Sequence, residues 1–368
     1  MSSKVYFVNL RTRTTHDNKI SKLKALFEAA GFNGLISEDD LTAVKLHFGE
    51  RGSDAFINPV FVRQIVDKIK EKGGKAFLTD TNTLYSGSRH NAVDHLQTAL
   101  EHGFDYTVTG APIIIADGLR SENIFEIEIG QKHFKKVKLA KDIVRADSMI
   151  VMSHFKGHEM AGFGGAIKNL AMGGAPAVGK KEQHAVKISV DNEKCIGCSK
   201  CASVCPEKAI TVSSRKAKVD WTKCIGCGEC LTVCPVKATG IDWSTDLSEL
   251  IERMTEYGYG LDKVHKNKIG YINFLVNITP DCDCVSWSDA PIVPDIGFLA
   301  STDPVAIDQA SYDLVNKQIG LAGTLLSCNH EAGADKFNGL RSYIDGTIQL
   351  KYGEAIGMGS RNYELVTL

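Results

Sequence analysis

No stretch of this 368-residue chain reaches eighteen consecutive apolar residues, so nothing in it reads as a membrane span. An excess of either charge is missing too. The 43 Lys and Arg against 44 Asp and Glu leave a net charge of −1 and an isoelectric point near 6.8. That balance provides no basic footprint for nucleic acid and no long-range pull toward an anionic membrane. The first residues, MSSKVYFVNL, hold no long apolar segment and no cleavage signature, so the expected compartment is the cytoplasm. No G-x-G-x-x-G follows a strand-like run. The G-F-G-G at 162–165 is too short a substitute, which leaves no nicotinamide or flavin fingerprint.

What the chain has in quantity is cysteine and glycine, eleven of the first and 34 of the second. Eight cysteines fall in two runs, C-I-G-C-S-K-C-A-S-V-C-P at 195–206 and C-I-G-C-G-E-C-L-T-V-C-P at 224–235. Each is the C-x2-C-x2-C-x3-C-P pattern of bacterial iron–sulfur ferredoxins, and the second repeats the first after 29 residues. Three cysteines spaced by two residues can curl around one cubane, while the fourth points to the other cluster. The expected sets are therefore Cys195, Cys198, Cys201 and Cys234 for one [4Fe–4S] cluster, and Cys224, Cys227, Cys230 and Cys205 for a second. Zinc needs four ligands per site and has no use for a further C-x2-C step ending in C-P, given twice. Thiolates kept for clusters imply a reducing compartment rather than a disulfide framework, and an oxygen-avoiding organism.

Outside this module the pattern alternates. Apolar runs at Val5–Leu10, Leu41–Phe48, Ala76–Thr79, Ser148–Ser153 and Lys268–Asn277 read as strands, with amphipathic helical segments between most of them. The expected fold is α/β, a mostly parallel sheet with flanking helices, interrupted by an inserted small α+β bacterial-type two-cluster ferredoxin domain. The expected divisions are 1–187 and 245–368 for the two parts of the α/β domain and 188–244 for the insert, with Trp243 closing the insert and Ser244 or Thr245 capping the next helix.

Polar residues gather where strands should end, which is where open α/β sheets bind ligands. The stretch 153–174, S-H-F-K-G-H-E-M-A-G-F-G-G-A-I-K-N-L-A-M-G-G, reads as a glycine-rich loop. In it Lys168 and His158 are candidate catalytic residues, and Lys156, Gly164 and Gly165 candidate ligand-holding ones; Lys45, at the end of the second strand with His47 and Arg51, joins the latter. His90, after the third strand, is the third candidate catalytic residue. Ordinary solvated loops would explain part of this. Cys282 and Cys284 form a C-x-C that could be a third metal site, a redox pair or two quiet thiols. The flanking Asp281 and Asp283 would raise their pKa unless a metal were present. Cys328 reads as a buried thiol.

K-L-H-F-G-E (45–50), H-F-K-G-H (154–158), A-G-F-G-G-A-I-K-N (161–169), T-P-D-C-D-C (279–284) and S-T-D-P-V-A-I-D (301–308) together resemble the bacterial and archaeal proteins grouped as domain of unknown function 362 with an iron–sulfur centre. That resemblance implies a ferredoxin-type redox protein with an unsettled substrate. The α/β part also has a more distant likeness to the N-terminal domain of nickel-pincer lactate racemase. There a histidine precedes a cofactor-bearing lysine by ten residues, as His158 precedes Lys168. The arginine before that lysine is replaced here by Ile167, so the likeness implies a shared pocket location and little about nickel.

The reading is a cytoplasmic electron-transfer protein in which two [4Fe–4S] clusters pass single electrons to or from an α/β pocket. That pocket would take an additional metal or a small anionic ligand, and a redox partner protein would exchange electrons with the clusters. An oxidoreductase activity is open. The alternatives are a pure carrier whose α/β domain docks partners, and an isomerase-like enzyme with structural or sensing clusters.

Overall fold

A computed structural model describes residues 2–85, 87–184, 187–226, 229–242 and 247–368, apart from the side chains of Thr232 and Ile241. Cys227, Trp243, Ser244 and Thr245, which the sequence reading singles out, lie outside the described residues. Eight strands form one sheet in the spatial order Tyr363–Thr367, Ser3–Asn9, Gly297–Ser301, Ile269–Leu275, Ser148–His154, Leu41–Lys45, Lys75–Asp80, Ile113–Ile115. Seven run parallel, and Gly297–Ser301 is antiparallel to both of its neighbours. The sheet is the expected mostly parallel one. It is assembled from strands on both sides of the cysteine repeats.

Burial on both faces explains why the central strands are apolar throughout. Along Ser148–His154, Met149 and Val151 enter one core while Ile150 and Met152 enter the other. One face is covered by helices Lys19–Ala29 and Pro59–Glu71, through Leu23, Phe27, Val62 and Ile65. Asn18 and Asn58 cap their starts, each accepting amide hydrogen bonds. The opposite face is covered by Ala166–Gly174, Leu247–Val264 and Pro304–Asn316. Ile124–Glu128 and Lys136–Ala140 pair as an antiparallel hairpin. Among the described residues no helix is long and apolar enough to cross a membrane.

The segment around the cysteines keeps its pairing to itself. Ile188–Val190 pairs with Thr239–Ile241, and Ile210–Ser213 with Lys216–Val219, both antiparallel and outside the large sheet. Two one-turn helices, Lys200–Ser203 and Glu229–Thr232, complete it.

The 153–174 stretch is not one loop. Lys156–His158 and Gly162–Gly164 form a small hairpin, and Ala166–Gly174 is a helix. Its glycines serve close packing. A side chain at Gly174 would strike Leu261 of the Leu247–Val264 helix, and one at Gly173 would strike the Lys45 ammonium. The helix starts without a side-chain cap of its own. Asp308, fully buried on Pro304–Asn316, does that job from outside by accepting from the Ala166 and Ile167 amides at 2.7 and 2.9 Å. Asn273 also donates to it at 2.7 Å. Replacing Asp308 by Ala leaves three buried donors without an acceptor. It should cost about 2–4 kcal/mol, read as a lower midpoint of thermal unfolding by far-UV circular dichroism.

Candidate functional site

The strands ending at Leu275, His154, Lys45 and Asp80 are consecutive neighbours in the sheet. The loops that follow them therefore meet at one carboxyl edge, as a doubly covered parallel sheet requires of a ligand site. A cavity of about 100 Å³ opens there. Leu84, Met160, Met172, Leu250 and Met254 give it an apolar floor, and Asp80, Arg89, His158, Glu159, Lys168, Lys180, His184, Glu229 and Cys284 supply its polar wall.

Most of the charge at this edge is paired within the protein. Lys45, fully buried, reaches Asp80 at 3.0 Å and the Asn169 side chain at 2.7 Å. Arg89 bonds Glu50 at 3.1 Å and the Tyr85 hydroxyl at 2.6 Å. Burial alone would raise the Asp80 carboxyl, but Lys45, His47, His95 and Arg89 around it prevail and hold it below the usual carboxylate range. Lys156 lies 3.4 Å from Asp283, whose other oxygen is 2.8 Å from His154 Nδ1. Lys45 and Lys156, candidates for holding an external ligand, are thus committed to internal carboxylates. Gly164 and Gly165 make room for the Lys168 side chain and the Asp308 carboxylate. His90 is exposed, bonds the Tyr85 carbonyl and does not line the cavity, whereas its neighbour Arg89 does. Arg51 is on the surface, paired with Glu101.

Lys168 and His158 do come together, and the C-x-C joins them. Gly157 donates its amide to the Thr279 carbonyl at 2.9 Å, and a side chain there would collide with the Pro280 carbonyl. This contact presses the Thr279–Cys284 loop onto the hairpin. Lys168 Nζ then lies 3.5 Å from Cys282 Sγ. His158, Cys282 and Cys284 bring one ligand-capable atom each within 4.8 Å of one another, a group that could hold a metal ion.

The aspartates beside these thiols do not raise Cys282 as the sequence reading expected. Arg341 pairs with Asp281, and His154 and Lys156 neutralise Asp283. The Cys282 thiol is held well below its ordinary value by the hydrogen bond from Cys284, against the opposing effect of burial, with Lys168, Lys156 and His158 adding to the pull. Cys284 is correspondingly pushed up. Burial takes His158 down to about 4, and Lys168 adds to this. Burial takes Glu159 up to about 7, helped by the charge on Cys282.

Two smaller hollows lie in the cysteine module. One is lined by Cys195, Cys198, Cys201 and Cys234, the other by Cys205, Cys224 and Cys230. These are the two interleaved sets, with Cys227 outside the described residues. Backbone amides point at the sulfurs: Ala217 to Cys195 at 3.4 Å, Ala209 to Cys205 at 3.3 Å and Ala238 to Cys234 at 3.1 Å. Gly197 has a φ of 70°, and a side chain there would strike the Arg215 backbone. Soft sulfur donors and amide hydrogen bonds around each hollow fit a pair of iron–sulfur clusters. Glu229 lines both the second hollow and the cavity at the carboxyl edge.

Glu159, Lys180, His184 and Glu229 were not picked out from sequence. Lys180 and His184 sit on or beside Ala177–Gln183, a helix with no strong periodic signal. Glu229 reads as filler between cysteines. Cys328 is exposed, not buried.

Among curated proteins none matches this chain. Among solved structures it is similar to the lactate racemase apoprotein from Thermoanaerobacterium thermosaccharolyticum, at 14% identity over 74% of this chain and 50% of that one, with a TM-score of 0.36. It is also similar to a structural-genomics protein from Thermotoga maritima, at 8% identity over 72% of this chain and 52% of that one, with a TM-score of 0.35. The chain spans about half the length of these two structures. The family model described as "Domain of unknown function (DUF362)" matches residues 42–313, well over half of the chain, and the chain belongs to that family.

Proposed function

We propose that this protein is an iron–sulfur electron-transfer protein in which an inserted two-cluster ferredoxin module serves the cavity at the carboxyl edge of the sheet. Cys195, Cys198, Cys201 and Cys234 would hold one [4Fe–4S] cluster, and Cys224, Cys227, Cys230 and Cys205 the other. Such clusters supply one-electron chemistry. The observation that carries the reading is Glu229, which belongs to the wall of the Cys205/Cys224/Cys230 hollow and to the wall of the cavity. It makes the Cys224 set the inner one and leaves the Cys195 set for exchange with a redox partner protein.

The residues of this chain would do the rest. Lys168 and Lys180 give the cavity cationic groups over an apolar floor, which suits a small anionic ligand. Glu159 and Glu229 would hold or move protons, since burial raises them to about 7 and about 8. A pure carrier has no need of so many buried ionisable groups around a closed space, and this disfavours the docking alternative.

Two measurements test this. Purified and reconstituted without oxygen, the chain should hold about eight iron and eight sulfide. Cys195→Ser should lower both by about half, while leaving a centre that dithionite still reduces by one electron. A chain that keeps zinc and no acid-labile sulfide overturns the proposal. The second measurement concerns Glu159. Its carboxyl is raised from 4.5 to about 7 in the fold, so between those values the folded state binds more protons than the unfolded one and stability falls as pH rises. Glu159→Gln should therefore melt progressively higher relative to the wild-type chain from about pH 5 to about pH 7. A difference that stays constant with pH would show that Glu159 is ionised throughout.

A further inference from the structure

We propose that Cys282 and Cys284 form a reversible dithiol–disulfide couple that exchanges two electrons with the iron–sulfur centres; this rests on the electron-transfer reading above. Two thiols separated by one residue sit within 4.8 Å of each other, and their backbone is turned by a Val285 amide bond to the Cys282 carbonyl at 3.1 Å. The loop is fastened on every side. Gly157 abuts Pro280, Arg341 holds Asp281, His154 and Lys156 hold Asp283, and the Tyr85 hydroxyl donates to the Cys284 carbonyl at 2.8 Å. Cys282 is 2% exposed and Cys284 lines the cavity. One sulfur therefore faces the protein's cation, Lys168, and the other faces a ligand's space.

Two features favour electron and proton chemistry over a bound metal ion. His158 Nδ1 accepts the Met160 and Ala161 amides at 3.1 and 3.0 Å. The ring proton is thereby placed on Nε2, the nitrogen left for a metal, which needs its lone pair free. Lys168 Nζ, at 3.5 Å from Cys282 Sγ, already supplies the positive charge that a metal would bring to that sulfur.

The step balances. The bond between the two Sγ atoms breaks, two electrons arrive singly from the two centres, each oxidised by one electron, and one proton is taken up. Cys282 ends as a thiolate facing Lys168, and Cys284 as the thiol hydrogen-bonded to it. Oxidation is the reverse. Glu159 is placed to hold that proton. It is buried, with Oε1 3.4 Å from His158 Nε2 and Oε2 without a hydrogen-bond partner among the described residues. Two one-electron donors match one two-electron bond, and this gives the paired clusters a destination within the same chain.

The test uses the cluster-loaded protein without oxygen, equilibrated in dithiothreitol redox buffers, alkylated with N-ethylmaleimide and digested with trypsin. Residues 269–317 form one tryptic peptide that holds Cys282 and Cys284 and no other cysteine. The expected result is interconversion between a doubly alkylated form and one lacking two hydrogens. A tenfold change in the buffer ratio should shift the two forms about tenfold, as a two-electron couple requires. When the clusters are photoreduced in the disulfide form, their paramagnetic signal should decay in the wild-type chain and persist in Cys282→Ser and in Cys284→Ser. Full alkylation at every buffer ratio overturns the couple, and so does a stoichiometric metal ion that blocks alkylation until chelated. Loss of the couple in a chain that still holds both clusters leaves the electron-transfer reading intact, whereas a chain without iron and sulfide removes that reading and the couple's electron source with it.

Discussion

Buried charge at the carboxyl edge of the sheet is the constraint the rest of this structure answers. Lys45, Asp80, Arg89, Glu50, Lys156, Asp283, Asp281 and Arg341 are all nearly or fully out of water. An unpaired ion in such a place costs several kcal/mol, so each has been given a partner. Those partners come from distant parts of the chain, such as Asp283 for His154 and Arg341 for Asp281. They can meet only because glycines remove the side chains that would keep the backbones apart. Gly157 admits Pro280, Gly173 admits Lys45 and Gly165 admits Asp308.

This explains which parts were legible in sequence. The alternation of strands and helices was readable because burial on both faces writes a plain hydrophobic pattern. The caps at Asn58 and Asp303, each followed by proline, act on their own helices, so local sequence is enough to place them. The gathering of the cysteines around two hollows follows from a spacing that is local in sequence. The helix Ala166–Gly174 was missed because its cap, Asp308, lies 142 residues from Ala166, and its glycines answer to neighbours rather than to a turn. Lysine and glycine density pointed to the stretch that the structure brings to the carboxyl edge of the sheet. It could not say that Lys45 and Lys156 would turn inward to carboxylates, or that Arg89 rather than His90 would line the cavity.

The C-x-C shows the same dependence on distance. Two aspartates beside two cysteines argue, in one dimension, for a raised thiol pKa. In three dimensions Arg341, His154 and Lys156 cancel the aspartates, and Lys168 faces the sulfur. At Cys282 the hydrogen bond from its near neighbour Cys284 lowers the thiol first, and Lys168, Lys156 and His158, which no local window contains, add to it.

Glu229 has one further consequence. It is a wall shared by two compartments, so neither compartment can change its charge privately. If the Cys224 set holds a cluster as proposed, an anion admitted beside Lys168 and Lys180 would make an added electron there harder to accommodate. By the reciprocity of linked equilibria, that electron would then loosen the same anion by the same factor. Occupancy and reduction would then report on each other through a single carboxyl group.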